Sequence, residues 1–133
     1  MSGPAKLYMD YLIEEGYRPT IDSDGDVIFK HEGRAYFIDI DTSDEQFFRI
    51  VYPNFWSIES AEELARVLYA ANYATRMTKV AKVYLRSDGK DTIASIEMFF
   101  EQPEHFRSVF RRAMSALQTS ITNFKEVAEC VNE

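Results

Sequence analysis

An acidic run near the N-terminus, Asp22-Ser23-Asp24-Gly25-Asp26, has the alternating carboxylates with which an EF-hand loop binds calcium. Its spacing does not match that loop. Counted from Asp22, Val27 stands where glycine is needed and Gly33 where the bidentate glutamate is needed. Counted from Thr20, the two end positions fall on Thr20 and His31. We therefore expect a solvated turn that leads into a strand, and no metal site.

Other side chains that could take part in catalysis lack the partners that catalysis needs. His31 and His105 have no histidine or cysteine at metal-ligand spacing, and Cys130 has no neighbouring histidine to activate its thiol. Asp39 and Asp41 share a strand face, but a catalytic carboxylate pair needs two different environments. Because the chain also has no glycine-rich phosphate loop, we expect no enzyme activity and no cofactor.

The charge of the chain restricts its partners. The 133 residues are 46% apolar and carry a net charge of −7. Residues 1–63 contain 14 acidic and 5 basic side chains, whereas residues 64–133 contain 8 acidic and 10 basic ones. Nucleic acid and anionic membranes attract lysine and arginine, so neither is an expected partner. A surface with both signs of charge favours protein partners or self-association.

A group of basic residues makes the best case for nucleic-acid binding: Lys82, Arg86, Arg107, Arg111 and Arg112. Tyr84 could stack on a base between the first two. The strand pair and the helical trio need not share a face, and the total charge is adverse. Nucleic-acid binding is therefore not predicted.

The single cysteine and the N-terminal residues indicate the compartment. Cys130 cannot form a disulfide within the chain, which favours a reducing environment. Lys6, Asp10 and Glu14 interrupt the N-terminus before any apolar run of signal-peptide length, and no stretch is long enough to span a membrane. We expect a cytoplasmic protein.

The hydrophobic period predicts the order helix, three strands, helix, two strands, helix. In the first hairpin, a turn at Glu32-Gly33 pairs Phe29 with Tyr36 and puts alternate residues on opposite faces. Asp39 is expected to face Arg49 or Lys30 across the sheet. The prediction is one α+β domain over residues 1–133, with an antiparallel five-stranded sheet and helices mainly on one face.

Two later segments are read as helices. Ser60 and Glu63 form a capping box, and this helix is predicted to end near Met77. Its inner stripe is predicted to be Leu64, Val67, Leu68, Ala71 and Thr75. The final helix follows Pro103 and is long enough to extend beyond the sheet. Its far apolar residues pack on the first helix, or pack on a second subunit as a homodimer, or the run from Thr119 to Asn123 breaks it.

Short fragments from the first helix to the fourth strand carry a family resemblance: Glu14-Glu15-Gly16-Tyr17, Asp24-Gly25-Asp26, Phe29-Lys30, Tyr36-Phe37-Ile38, Asp44, Phe47-Phe48-Arg49, Pro53-Asn54-Phe55-Trp56, Ala70-Ala71-Asn72, Lys79-Val80 and Lys82-Val83. They resemble the YbjN-like family, whose members are labelled bacterial sensory transduction regulators. The element order resembles the type III secretion chaperone-like fold. The resemblance implies protein binding, with homodimerisation as one form of it, and neither catalytic residues nor a cofactor.

Two surfaces are candidates for protein binding. The loop Tyr52-Pro53-Asn54-Phe55-Trp56 presents Phe55 and Trp56 in the composition of a binding hot spot, although the same rings could simply cover the end of the core. The second surface is the outward sheet face, whose apolar members are Ile28, Phe37, Phe47, Val51 and Tyr84. Such a patch indicates an interface, unless the last helix covers it.

The leading functional hypothesis is a non-enzymatic protein-binding domain, either chaperone-like or a regulatory adaptor. The protein partner is not identified by the sequence. The alternative is a small-ligand-binding module with a cavity between sheet and helices, lined by Tyr36, Tyr52 and Phe110.

Overall fold

The structure is a computed structural model that describes residues 3–130. Three α-helices and six strands are present among these residues, and the third α-helix is entered through a short 3₁₀ turn. In chain order the elements are α1 (Gly3–Glu14), β1 (Thr20–Ile21), β2 (Val27–His31), β3 (Arg34–Ile38), β4 (Phe47–Pro53), α2 (Ala61–Met77), β5 (Ala81–Leu85), β6 (Thr92–Phe99), the 3₁₀ turn (Pro103–His105) and α3 (Phe106–Ala128).

All six strands form one antiparallel sheet in the order β1-β2-β3-β4-β6-β5. The prediction of five strands was wrong because β1 was not recognised. β1 has only two residues, which is too short to show an alternating pattern. It pairs Ile21 with Val27 across the acidic turn. The predicted α+β class is confirmed, with six strands in place of five.

The β2–β3 hairpin has the predicted register. Phe29 pairs with Tyr36 and Val27 with Ile38. Glu32 and Gly33 both adopt positive φ angles, 52° and 79°, as a two-residue type I′ turn requires. The turn therefore sets which side chains of both strands face the helices.

The core lies between the helices and one face of the sheet, which we call the inner sheet face. Its buried members alternate along the strands: Val27, Phe29, Tyr36, Ile38, Phe48, Ile50, Ala81, Val83, Ala94 and Ile96. Aromatic rings from two helices join them, with Tyr8 of α1 4.7 Å from Phe106 of α3 between ring centroids. Edge-to-face contacts of this kind add to the stabilisation from burial.

α2 begins as predicted but turns a different side towards the core. Ser60 caps the helix by accepting a hydrogen bond from the Glu63 amide at 3.1 Å. The predicted inner stripe is confirmed at Val67 and Ala71, which are buried, and is wrong at Leu68, which is 52% exposed, and at Thr75, which is also exposed. The buried residues instead include Ala70 and Ala74. α2 packs mainly on α3, and small side chains at such a contact allow the two helix axes to approach closely.

α3 continues without a break through residues 119–123, so the break, one of the three alternatives for this helix, is wrong. Its hydroxyl groups bond to carbonyl oxygens of the same helix, with Ser120 donating to Leu117 and Thr122 to Gln118. The far end packs within the chain rather than on α1, since the Phe124 ring lies 5.1 Å from Phe55. Burial of this end therefore does not require a second subunit.

Candidate protein-binding surface

The face of the sheet that points away from the helices is the outer sheet face. The buried apolar residues of α1, α2 and α3 all join the cluster on the inner sheet face. Among residues 3–130, no helix therefore packs on the outer sheet face, and the interpretation that the last helix covers it is wrong. All five residues predicted to be its apolar members lie on this face: Ile28, Phe37, Phe47, Val51 and Tyr84.

A band of ion pairs crosses the outer sheet face from β3 to β5. Arg49 lies opposite Glu97 in the register. Its guanidinium donates to Asp39 at 3.0 Å and to the Tyr84 hydroxyl oxygen at 2.5 Å, and its Nε lies 3.7 Å from Glu97. Lys82 completes the band with a bond of 3.1 Å to Glu97. The predicted pairing of Asp39 with Arg49 is confirmed.

The middle of the outer sheet face is closed by its own side chains. Val51 is only 1% exposed, although it lies outside the main core cluster. It sits between its cross-strand neighbours Phe37 and Ser95. The Ser95 hydroxyl is also buried and donates to Glu97 at 2.8 Å. Cross-strand pairs of this kind stabilise a sheet that has no second layer above it.

Phe99 is the most exposed large apolar side chain among the described residues, at 76%. It lies at the end of β6, directly opposite Phe47, and the two ring centroids are 5.8 Å apart. The sequence reasoning missed Phe99 because it assigned the outward residues of this strand only as far as Glu97. Extending the same alternation by one step would have placed Phe99 outward. Phe99 is therefore the apolar residue of this surface that is most open to solvent, and Phe47 beside it is half-buried.

The loop containing Phe55 and Trp56 lies on the side of the sheet that faces α3. Both rings make edge-to-face contacts with Phe124, at 5.1 and 5.5 Å. The loop is held by the Thr92 hydroxyl, which donates to the Trp56 carbonyl at 3.1 Å. Both residues are half-buried, and their packing matches a role in covering the core. The structure does not bring them together with Phe37 or Phe47, and their role in binding stays a prediction.

The rings predicted to line a ligand cavity are packed against each other. Tyr36 stacks on Tyr52 at 4.9 Å and on Phe29 at 5.6 Å, and Phe29 in turn contacts Phe110 at 5.9 Å. Phe110 and Tyr36 are each only 2% exposed. The rings of Phe29 and Phe110 fill the core, and Tyr36 also lines a small pocket of about 270 Å³ together with Gln118 and Lys125.

The acidic turn brings three carboxylates together but uses them in its own hydrogen bonds. Oxygen atoms of Asp22, Asp24 and Asp26 lie within 4.8 Å of one another. Asp22 accepts from the amides of Asp24 and Asp26 at 2.9 Å each. Asp26 accepts from the Ile40 amide at 2.8 Å, and burial raises its pKa. The carboxylates hold the turn between β1 and β2 in shape.

The other candidate groups lie apart from one another. The Tyr17 hydroxyl is 3.0 Å from His31 Nδ1, His105 is exposed at the end of the 3₁₀ turn, and the Cys130 thiol donates to the Glu126 carbonyl. Asp41 accepts from the Ser43 hydroxyl, and that hydrogen bond is the main reason why its pKa is lowered.

Most of the basic residues considered for nucleic-acid binding are paired with carboxylates. Lys82 and Arg86 pair with Glu97 and Asp88, and Arg107 and Arg111 pair with Glu14 and Glu15. The strand pair and the helical trio lie on different elements and do not form one continuous basic groove with Tyr84. Arg112 alone of the five has no ion pair within residues 3–130.

Comparison with solved structures identifies the fold. Over 93% of this chain and 91% of the other, the structure matches YbjN from E. coli with a TM-score of 0.63 and 11% sequence identity. The chain has the YbjN fold. It also matches an uncharacterized protein from Methanothermobacter thermautotrophicus, with a TM-score of 0.59 and 12% identity over 92% of this chain and 97% of that one. No family model matches the sequence, and no curated protein is similar to it.

The resemblance to YbjN that the sequence fragments carried is confirmed for the fold. YbjN itself is described as a proposed transcription regulator, and neither description names an enzyme. Within residues 3–130, no helix combines the length and the apolar character that crossing a membrane requires.

Proposed function

We propose that this chain is a non-enzymatic protein-binding domain that works as a regulatory adaptor or chaperone through its outer sheet face. The observation that carries the proposal is the Phe47–Phe99 pair on a face that no described helix covers, with Phe99 76% exposed. A large aromatic ring left in water on a folded domain favours burial against a partner. The regulator label of YbjN agrees with a binding role.

The ion-pair band beside these rings supports a specific partner. Arg49, Glu97 and Asp39 hold each other in position, so their charges are fixed before any partner arrives. Fixed charges of both signs reject surfaces that do not match them. They also argue for a protein rather than for nucleic acid, because Arg49 and Lys82 on this face already have carboxylate partners.

The test is capture of a partner from an extract of the source cells with matched variants. Phe99→Asp removes the exposed ring, and Ile13→Asp makes the same change on α1 at a residue that is 57% exposed. Neither change touches the core, so both variants should fold, which circular dichroism checks. We expect the unmodified chain and Ile13→Asp to enrich the same protein, and Phe99→Asp to lose it by about tenfold or more, or about 1.4 kcal/mol.

A partner that Phe99→Asp retains in full would show that the outer sheet face is not the binding surface. A chain that enriches no protein above background would count against the protein-binding function itself.

A further inference from the structure

A groove lies beside the N-terminal half of α3, on the other side of the sheet from Phe99. Its volume is about 470 Å³, and its apolar lining consists of Met77, Val80, Met98, Val109, Ala113 and Ala116. We call it the α3 groove. Met98 contributes from the sheet, Met77 from the end of α2, and Val80 from the connection between α2 and β5. Its volume lies in the range of small-molecule sites.

The groove is open because two neighbouring elements end early. α2 stops at Met77, and β5 starts only at Ala81, opposite Ile96. Met98 therefore has no β5 residue beside it, and the side of α3 that carries Val109 and Ala116 is only half-buried. Alanine side chains on that side leave a recess where larger ones would fill it.

Two cations stand at this groove without counterions. Lys79 and Arg112 both belong to its lining, and neither forms an ion pair or a side-chain hydrogen bond with any residue between 3 and 130. No acidic residue is in the lining. Arg111, the neighbour of Arg112, is instead paired with Glu15 across the α1 side of the helix. The groove thus combines apolar walls with a net positive charge.

We infer that the α3 groove binds an anionic amphiphile, a linear fatty-acid-like carboxylate. The tail would lie against Met98, Ala113 and Ala116, and the carboxylate would pair with Lys79 and Arg112. The lining residues of α3 run from Val109 to Thr119, which is about 15 Å at 1.5 Å per residue. That length suits an extended chain of roughly 12 carbons, since each carbon–carbon bond is about 1.5 Å long and advances the zigzag by less.

A partner helix fits this groove less well than a single chain does. A helix docked in a groove inserts only the side chains of one face, so the charge beside the groove separates the two occupants. Lys79 and Arg112 are exposed at the edge of the groove, and an anionic head group can pair with both, which a plain apolar segment cannot do.

The test titrates the full chain with dodecanoate and dodecyltrimethylammonium below their micellar concentrations, and with dodecanol below its solubility limit, by calorimetry and by thermal unfolding. We expect one dodecanoate per chain and a midpoint that rises with its concentration. The neutral and cationic probes should bind at least about tenfold more weakly. Shortening the carboxylate by two carbons should weaken binding by up to about 15-fold, from ~0.8 kcal/mol per buried CH₂.

Variants localise the binding. Ala116→Trp fills the groove and should abolish dodecanoate binding, and the double variant Lys79→Gln with Arg112→Gln should weaken it by about tenfold or more. Arg111→Gln is the matched control on the same helix and should bind like the unmodified chain. If Ala116→Trp does not fold, the surface double variant still decides the outcome.

Equal binding of all three probes, or of dodecanoate by all variants, would overturn the proposal. So would a change from dimer to monomer in Ala116→Trp, because the occupant would then be a second copy of the chain. Loss of a captured protein partner by Ala116→Trp, without any dodecanoate binding, would make the groove a protein-docking surface instead. None of these outcomes depends on the role of Phe99.

Discussion

The two faces of the sheet are built from the same strands but are closed in different ways. On β6, Ala94 and Ile96 point inward and are fully buried under the helices. Their neighbours Ser95 and Glu97 point outward, where no described helix lies. Ser95 donates to Glu97 on the same strand, and Glu97 pairs with Arg49 on the neighbouring strand. The inner face depends on a second layer, whereas the outer face depends on pairs within the sheet itself.

This difference shows that burial alone does not identify the core. Val51 and Ile50 are adjacent on β4 and are 1% and 0% exposed, yet only Ile50 belongs to the core cluster. Val51 is covered by neighbours that could move apart, while Ile50 is held by helices packed above it. We expect the two faces to respond very differently to the same substitution.

The largest expected effect compares Ile96→Ala with Ile93→Ala on β6. Ile96 is fully buried on the inner face, so its truncation should lower the free energy of unfolding by about 2–5 kcal/mol. Ile93 is half-buried on the outer face beside Tyr84, and the same change should cost about 1 kcal/mol or less. Chemical denaturation of both variants measures the difference.

Each variant is the control for the other, because residue type, strand and substitution are the same. Equal losses would mean that the outer face is packed as tightly as the core and is not a free surface.

Much of this two-faced arrangement could be predicted from the sequence. The β2–β3 hairpin combines strict alternation with a turn that requires positive φ at Glu32 and Gly33, so local chemistry alone sets its register. The Ser60 cap of α2 was also predictable, because a capping box is recognised from two residues three positions apart. Both features involve residues that are close together in the chain, so the sequence pattern was sufficient to predict them.

The remaining features depend on tertiary contacts that no local pattern reports. Leu68 looks like a core residue by periodicity, but α2 turns its alanines towards α3 and leaves Leu68 in water. Five apolar members of the outer sheet face were predicted, but Phe99 was missed. The hydrogen bond between Arg49 and Tyr84 joins residues that are 35 positions apart in the chain. The burial of Val51 likewise depends on how closely the neighbouring strands pack.

The second expected effect is a pH dependence that arises on the outer face. Burial raises the pKa of Glu97, but hydrogen bonds from Ser95 and Lys82 and the charges of Lys82 and Arg49 outweigh it, so the pKa lies below its ordinary value of 4.5. A lowered pKa in the folded chain stabilises it above the pKa of the unfolded chain. That stabilisation is lost as the pH falls through the folded value.

Glu97→Gln should therefore flatten the acid limb of the stability curve. We expect the free energy of unfolding of the unmodified chain to fall more steeply with acid than that of the variant, below about pH 4.5. Denaturant titrations at a series of pH values provide the measurement. Parallel curves for the two proteins would show that the ion-pair band does not hold Glu97 in its charged form.

The smallest expected effect is at Val80, the residue directly before the edge strand β5. Its φ of 55° lies in the left-handed region, which costs a residue other than glycine roughly 1–2 kcal/mol. Val80→Gly removes that strain but increases the entropy of the unfolded chain by about 0.5–1 kcal/mol. We expect a net gain of about 0.5–1 kcal/mol in the free energy of unfolding.

Lys79→Gly is the matched control, because Lys79 is the preceding residue and its φ is not positive. It should lose about 0.5–1 kcal/mol, the ordinary cost of introducing glycine. If both variants lose stability equally, the side chain of Val80 contributes more than its backbone costs, through contacts with the α3 groove that it lines. If only Val80→Gly gains stability, then the valine lowers the free energy of unfolding, as expected of a residue that serves binding rather than folding.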